Sequence, residues 1–508
     1  YESFTVKQSI IISMTISDNF VYSAAEVSEI DKLAMQLATI PGLVLMRQAA
    51  DFAYDKTIEF YPDTTSIVVF CGLGNNAGDG YLFAVRALNE GKKIHVVSLS
   101  SKDKLKGDAL QAHKEYTKMD GEVIPWDQSL NFSADLIVDA IFGIGLNRSV
   151  EGIFLECIQT INLSSIPILS LDIPSGLNAD TGEKMGDSIS AEVTTTFVGY
   201  KQGLFLNAGP ECSGEVFFSN LNIPEECYKS AVPALTFVTE ELSKKVLTKR
   251  PLASHKGNFG HILVVGGNHG MGGAVRIAAE AALRSGAGLV SVATRKSNVP
   301  IVAKLRPEVM CHSLDNNVDK IDDLIAKATV IAVGPGLGLD DWAKHLFGRV
   351  LESDLPLVVD ADALNILSHS PRNRENWILT PHPGEAGRLL GVINPVIQSQ
   401  RLDSLDKLVK KFGGTVVLKG SNTLVGGSNQ IPYLVRSGNP GMASAGMGDL
   451  LTGVIAGLLG QFENIDYQLL AAIAANVHAT AGDLAVEDGE RGLIATDLFK
   501  HLKQQLNP

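Results

Sequence analysis

A run of small residues ending in a carboxylate, Gly438-Asn439-Pro440-Gly441-Met442-Ala443-Ser444-Ala445-Gly446-Met447-Gly448-Asp449, stands directly before the apolar segment 450–459. Small side chains let a backbone approach a phosphate. A helix start offers an anion unpaired N–H groups and a partial positive charge. With the helix expected to begin at Asp449, that carboxylate could act as base toward a hydroxyl being phosphorylated. The bland reading of the same run is a glycine-rich turn with Asp449 as a helix cap.

The run has company in the second half of the chain. Six further loops are polar or glycine-rich: Ser254-His255-Lys256-Gly257, Gly266 to Gly273, Gly334-Pro335-Gly336-Leu337-Gly338, Asp360-Ala361-Asp362-Ala363-Leu364, Thr380-Pro381-His382-Pro383-Gly384-Glu385, and Lys419-Gly420-Ser421-Asn422-Thr423. Most follow strand-like segments. As a set they point to a nucleotide-handling pocket, although His382 could be a plain loop residue and Lys419 a solvated one.

The first half carries three turns of its own. They are Gly74-Asn75-Asn76-Ala77-Gly78-Asp79-Gly80, Asp139-Ala140-Ile141-Phe142-Gly143-Ile144-Gly145, and Asp172-Ile173-Pro174-Ser175-Gly176. Residues 75–80 suit a phosphate or ribose, or simply cap a helix; they contain neither G-x-G-x-x-G nor a P-loop lysine. Asp172 could be a general acid/base or a structural cap. Asn76, Asp139 and Ser175 offer hard oxygen donors. Lys201 could contact phosphate, or be a solvated surface lysine.

The elements that must position these loops alternate. Strand-like segments fall at 66–70, 93–99, 136–140, 168–172 and 193–198, with helical stretches at 23–38 and 81–88. A βαβα order argues for a parallel sheet wrapped by helices, whose strand-end loops converge on one crevice. A break between about residues 223 and 249, marked by Pro224, Pro233 and a charged stretch, reads as the linker region. Strands at 262–265, 290–293, 330–333, 357–359 and 415–418 and a helix at 274–284 then begin a second α/β domain. The two share no repeated sequence.

The 508 residues allow two domains or three. Forty-three basic against 56 acidic residues give a net charge of −13, which argues against a general nucleic-acid binder. The five scattered cysteines form no CxxC, so neither a disulfide framework nor a zinc site is favoured and a cytoplasmic location is expected. No apolar run approaches a membrane span. Residues 1–20 are expected to be an extension or disordered start, with Met14 a plausible natural start.

The three first-half turns together resemble the signature of the NAD(P)H-hydrate epimerases, which interconvert the R and S forms of hydrated NADH and NADPH. The resemblance implies a K⁺ ion at Asn76, Asp139 and Ser175. It implies substrate at Asn75, Asn76, Ala77, Gly78 and Asp79, at Gly143, Ile144, Gly145, Leu146, Asn147, Arg148 and Ser149, and at Asp172, the candidate acid/base. Two positions depart from the family pattern: Ala77 replaces a usual glycine and Ile144 a common threonine.

The second-half loops resemble the ADP/ATP-dependent NAD(P)H-hydrate dehydratases, a branch of the ribokinase-like fold. That implies adenine nucleotide at Lys419, Gly420, Ser421, Asn422 and Thr423 and along Gly438 to Gly448. It implies hydrated dinucleotide near Ala274, Gly336, His382 and Asp449, the catalytic base. The Met-containing Gly446-Met447-Gly448-Asp449 resembles ADP-using bacterial members, with Mg²⁺ on the nucleotide phosphates.

Both halves match, so from about Val21 onward the chain resembles the bifunctional NAD(P)H-hydrate repair enzymes. The expected architecture is an N-terminal Rossmann-like three-layer domain (21–235) and a ribokinase-like α/β domain (236–508). The expected partners are hydrated NADH and NADPH and ADP, in a homo-oligomer, with neither nucleic acid nor membrane. The rival reading is a small-molecule kinase of the same fold fused to a non-catalytic binding module.

Overall fold

The computed structural model describes residues 19–128, 132–315 and 317–507. Met14 and most of the expected N-terminal extension lie outside the described residues. The chain divides into two compact units, Tyr1–Leu235 and Thr236–Pro508.

The first unit opens with β1 (Phe20–Tyr22), α1 (Ala24–Gln36) and α2 (Gly42–Phe60). Ser23 caps α1 by accepting the Glu26 N–H. There follow β2 (Ser66–Cys71), α3 (Asn75–Asn89), β3 (Lys93–Ser98), β4 (Val123–Pro125), β5 (Leu136–Ala140), β6 (Ile168–Leu171), β7 (Val193–Phe197), β8 (Tyr200–Lys201) and β9 (Glu215–Ser219). Seven strands form a parallel sheet in the order β4-β3-β2-β5-β6-β7-β9. Strand order reverses between β2 and β5, which opens a crevice at their carboxyl ends. Continuous apolar strands such as Ile67–Phe70 are buried on both faces, as a helix-covered parallel sheet requires.

The expected glycine turn 75–80 is instead the start of α3, which runs through it. Its glycines serve packing. A Cβ on Gly80 would lie 2.6 Å from Ala140 Cβ, and one on Gly78 would lie 2.4 Å from Met46 Sδ. The linker region is also partly structured: it contains β10 (Leu235–Phe237) and a helix, Glu240–Val246.

The second unit carries β11 (His261–Val265), α4 (Gly272–Arg284), β12 (Leu289–Thr294), β13 (Met310–Ser313), β14 (Val330–Val333), β15 (Leu357–Val359), α5 (Ala361–His369), β16 (Trp377–Leu379), α6 (Pro383–Leu390), α7 (Arg401–Phe412), β17 (Thr415–Leu418), β18 (Thr423–Gly427) and β19 (Tyr433–Val435). Two long helices, α8 (Met447–Leu459) and α9 (Tyr467–Leu484), follow. The sheet order is β13-β12-β11-β14-β15-β16-β17-β18-β19-β10. It is parallel as far as β17, turns antiparallel through β17-β18-β19, and continues with β10 parallel to β19.

Helix α8 is apolar almost all round and sits in the main core of this unit with α4 and α9. Gly453 and Gly457, four apart on one face, let it press on α4. A Cβ on Gly453 would lie 2.1 Å from the Ala278 carbonyl oxygen, and one on Gly457 would lie 2.6 Å from that of Ala282. That contact sets where the start of α8, and hence Asp449, points. No helix among the described residues is long and apolar enough to cross a membrane.

Candidate active sites

In the first unit the loops after β2, β5 and β6 meet at the crevice. Gly143 joins two of the expected residues: a Cβ there would lie 3.4 Å from Asn76 Cβ and 3.5 Å from Asp172 Oδ2. Asp172 has φ +69°, a left-handed conformation that costs a non-glycine residue about 1–3 kcal/mol. Its N–H, 2.6 Å from the Thr195 carbonyl, helps hold it there. Its carboxylate pairs with Lys201. Lys201 is fully buried, not a surface side chain, and it also donates to Thr196 Oγ1 at 2.9 Å and to the Phe197 carbonyl at 2.7 Å.

Burial lowers the Lys201 pKa, and the neighbouring carboxylate of Asp172 works against that shift. Burial, reinforced by Asp172, raises both Asp79 and Asp31. Lys201 thus pairs directly with Asp172 and acts through space on Asp79 and Asp31, an arrangement that tunes proton affinity.

Asp139 is fully buried and accepts from Ser170 Oγ and Ser175 N (2.8 Å each), Ser175 Oγ (2.5 Å) and Ile141 N (3.2 Å). Burial still raises its pKa, and no basic side chain offsets it. Asn76 Nδ2 donates to the Phe142 and Leu171 carbonyls, while its buried Oδ1 has no partner. The orphaned Asn76 oxygen and the buried Ser175–Asp139 pair are linked through the Phe142 carbonyl, and this oxygen-rich set fits a monovalent cation, so Asn76, Asp139 and Ser175 could hold K⁺.

In the second unit Gly446, at φ +89°, turns the chain into α8, which begins at Met447, two residues before the expected start. The first amide of α8 to bond back is that of Leu450, to the Gly446 carbonyl at 2.9 Å. No side chain caps this helix start, which leaves the preceding amides for an anion.

Asp449 lies in this first turn. Burial, with Asp360 adding repulsion, raises its pKa to about 7, while Lys419 opposes the rise. Lys419 Nζ donates to Asp360 Oδ1 at 2.9 Å and lies 3.8 Å from Glu385 Oε2. Thr452, one turn into α8, donates to Asp360 Oδ2 at 2.8 Å. Burial alone would raise Asp360, but Lys419 and these hydrogen bonds hold it low. Gly448 completes the cluster: a Cβ there would lie 3.3 Å from Lys419 Nζ.

The neighbouring loops close around this centre. His382 caps α6, accepting the Gly384 N–H on Nδ1 at 3.0 Å while Glu385 Oε2 accepts the His382 N–H at 2.8 Å. Burial, then Lys419, keeps the imidazole pKa low. Gly336 (φ +56°) adjoins Ala274: a Cβ on it would lie 3.2 Å from Ala274 Cβ. Ala361, at φ +48°, turns the chain beside Asp360, and Asp362 Oδ2 accepts the Gly338 N–H at 2.8 Å. Two polar atoms of the opening run, Asn439 Oδ1 and Ser444 Oγ, are buried without partners, as is His478 Nε2 on α9. Such orphans mark polar space that a ligand or water fills.

Two family profiles match the chain: YjeF-related protein N-terminus over residues 42–203, and NAD(P)H-hydrate dehydratase over residues 262–504. A bifunctional NAD(P)H-hydrate repair enzyme Nnr from Coxiella burnetii is 42% identical over 489 residues, covering 96% of this chain and 99% of that protein. The Escherichia coli protein of the same name is 39% identical, covering 93% of this chain and 92% of its own length. The Vibrio cholerae one is 38% identical over 91% and 93%. The chain belongs to the bifunctional NAD(P)H-hydrate repair enzymes.

As a member of that family it is an enzyme with an epimerase unit followed by a ribokinase-like dehydratase unit. The expected epimerase residues Asn75 to Asp79 lie on the first turns of α3, and Gly143 and Asp172 adjoin them. Asn147, Arg148 and Ser149 are exposed on the loop beyond. Ala77 is buried in α3, and its methyl packs in the apolar core of the first unit.

Sequence reasoning left Asp31, Asp360, Glu385 and Thr452 without roles and gave Lys201 the wrong surroundings. Asp360 carried a readable signal, a carboxylate at a strand end in Asp360-Ala361-Asp362. Asp31 carried none beyond its place on a polar helix face.

Proposed function

We propose that this chain repairs hydrated nicotinamide cofactors in two steps. The epimerase unit interconverts R and S forms of hydrated NADH and NADPH. The dehydratase unit returns the S form to NADH or NADPH, converting ADP to AMP and phosphate. The observation that carries this reading is Asp449. It is a carboxylate with a pKa near neutrality, in the first turn of an uncapped helix, beside the Lys419–Asp360 pair.

Hydroxide is a poor leaving group from C6 of the hydrated ring, and phosphate is a good one. Asp449 removes the C6 hydroxyl proton as that oxygen attacks the terminal phosphorus of ADP and the bond to AMP breaks. The free amides before Leu450 and the Lys419 ammonium stabilise charge on the transferring phosphoryl group. The ring nitrogen then expels phosphate, and loss of a proton from the adjacent carbon restores the dihydropyridine. In-line transfer requires one hydroxyl orientation, so one epimer reacts. The first unit converts the other epimer into it: Asp172, held by Lys201, exchanges protons with the C6 oxygen as it leaves and returns.

K⁺ at Asn76, Asp139 and Ser175 would supply fixed positive charge beside the epimerase cleft. Among the described residues no cluster of His, Cys, Asp or Glu is built to hold a metal by itself. Mg²⁺ therefore enters this reading with the nucleotide, whose phosphates supply most of its ligands. A cytoplasmic location and a homo-oligomer complete the reading. Five free cysteines, four of them buried, support the first.

The test is incubation of each purified epimer with ADP or ATP, following nicotinamide absorbance, free phosphate and AMP. Recovery of reduced cofactor with stoichiometric phosphate is expected, with ADP the better co-substrate. Accumulation of a stable phosphorylated compound would instead mean a kinase.

A further inference from the structure

Beneath the loop that joins β17 to β18 lies a guanidinium with no acidic partner. Arg401, the first residue of α7, is 5% exposed. Its Nη2 donates to the carbonyls of Leu418 at 3.2 Å and Asn422 at 3.1 Å, and its Nη1 to that of Lys419 at 3.5 Å. Its Nε is buried and unpartnered. Among the described residues no carboxylate pairs with it. Burial alone pushes its pKa down to about 10, so it stays charged at neutral pH.

Gly420, at φ +143°, lies directly over it: a Cβ there would come within 2.3 Å of Nη1. An unpaired buried charge is costly, and a loop needing only hydrogen-bond donors could be held by a neutral amide. The uncompensated charge lies directly under Lys419 to Asn422, the segment read above as nucleotide-binding.

We propose that Arg401 is a positioning residue for the nucleotide loop, and that the negative charge of the bound nucleotide is its missing counter-charge. The three carbonyl bonds set the path of the loop. The guanidinium adds to Lys419 a second, fixed positive charge beneath the nucleotide. The inference rests on the dehydratase reading of this unit.

The test compares Arg401→Lys, Arg401→Gln and Arg401→Met in the full chain, with ADP and the S epimer of hydrated NADH. In the Gln and Met variants the KM for ADP should rise at least about tenfold, with kcat and the KM for hydrated NADH within about threefold of wild type. Arg401→Lys should recover part of the loss. The upward Tm shift produced by ADP should shrink in the same order.

Gln distinguishes the alternatives, because it can still donate to the loop carbonyls but carries no charge. Wild-type KM for ADP in Arg401→Gln would overturn the inference. If Met fails to fold, Lys against Gln still decides. A wild-type chain that dehydrates nothing with ADP or ATP would refute the dehydratase reading itself, a result distinct from active enzyme and unaffected variants.

Discussion

At the scale of single residues, the two aspartates proposed to carry the chemistry each feel a lysine distant in sequence: Asp172 pairs with Lys201, and Lys419 opposes the rise in the Asp449 pKa. Asp449→Asn should lower dehydration by about 10²–10⁴-fold, the usual contribution of a general base, and leave epimerisation intact. A matching rate with either residue would remove Asp449 from the mechanism. As base it must be ionised, so kcat/KM for dehydration should rise with pH and level off above about 7. The Asp360 carboxylate helps hold that pKa up, so Asp360→Asn should move the rising limb to lower pH in whatever activity remains.

The same shift affects stability with a fixed sign. The folded state binds the Asp449 proton more tightly than the unfolded chain does, so ionising it costs stability. That cost is absent below the unfolded value of about 3.9 and complete above about 7. Asp449→Asn should therefore raise Tm at about pH 8 and change it little at about pH 4, as thermal melts at the two pH values would show.

At the scale of elements, the site depends on how closely α8 approaches α4. Gly453→Val should cost about 1–3 kcal/mol by overpacking against the Ala278 backbone. It should also tilt the start of α8, so dehydration should fall while epimerisation persists. Normal dehydratase kinetics in a variant with lowered Tm would separate packing from positioning.

In the first unit, α3 plays the corresponding part by presenting Asn76 from its first turn. Asn76→Leu removes the orphaned oxygen and the two carbonyl contacts while keeping the side chain's size. Epimerisation should lose any dependence on K⁺ when KCl is replaced by choline chloride. Persistence of the same K⁺ response would place the ion elsewhere.

At the scale of the whole molecule, each unit has its own apolar core: one around α4, α8 and α9, the others on the two faces of the first sheet. Calorimetry should show ADP raising the unfolding temperature of the second unit alone. At about 100 times its Kd the stabilisation should be about 2.7 kcal/mol. A nucleotide shift of both transitions, or of the first only, would contradict assignment of the nucleotide to the second unit.

The α/β alternation, the strand-end loops and the candidate chemistry of Asp449 and Asp172 were legible in the sequence, because each is a local pattern of a few adjacent residues. Element edges were less so. The stretch 75–80 reads as a turn because glycine disfavours a helix in isolation; here packing against Met46 and Ala140 overrides that propensity. What only the tertiary structure decided are the pairings. Lys201 meets Asp172 across 29 residues, Lys419 meets Asp360 across 59, and Thr452 reaches Asp360 across 92. The same holds for Arg401 beneath its loop. Whether a charged side chain is solvated, or buried and spoken for, depends on the sheet order that brings distant strand ends together. No spacing along the chain encodes that order.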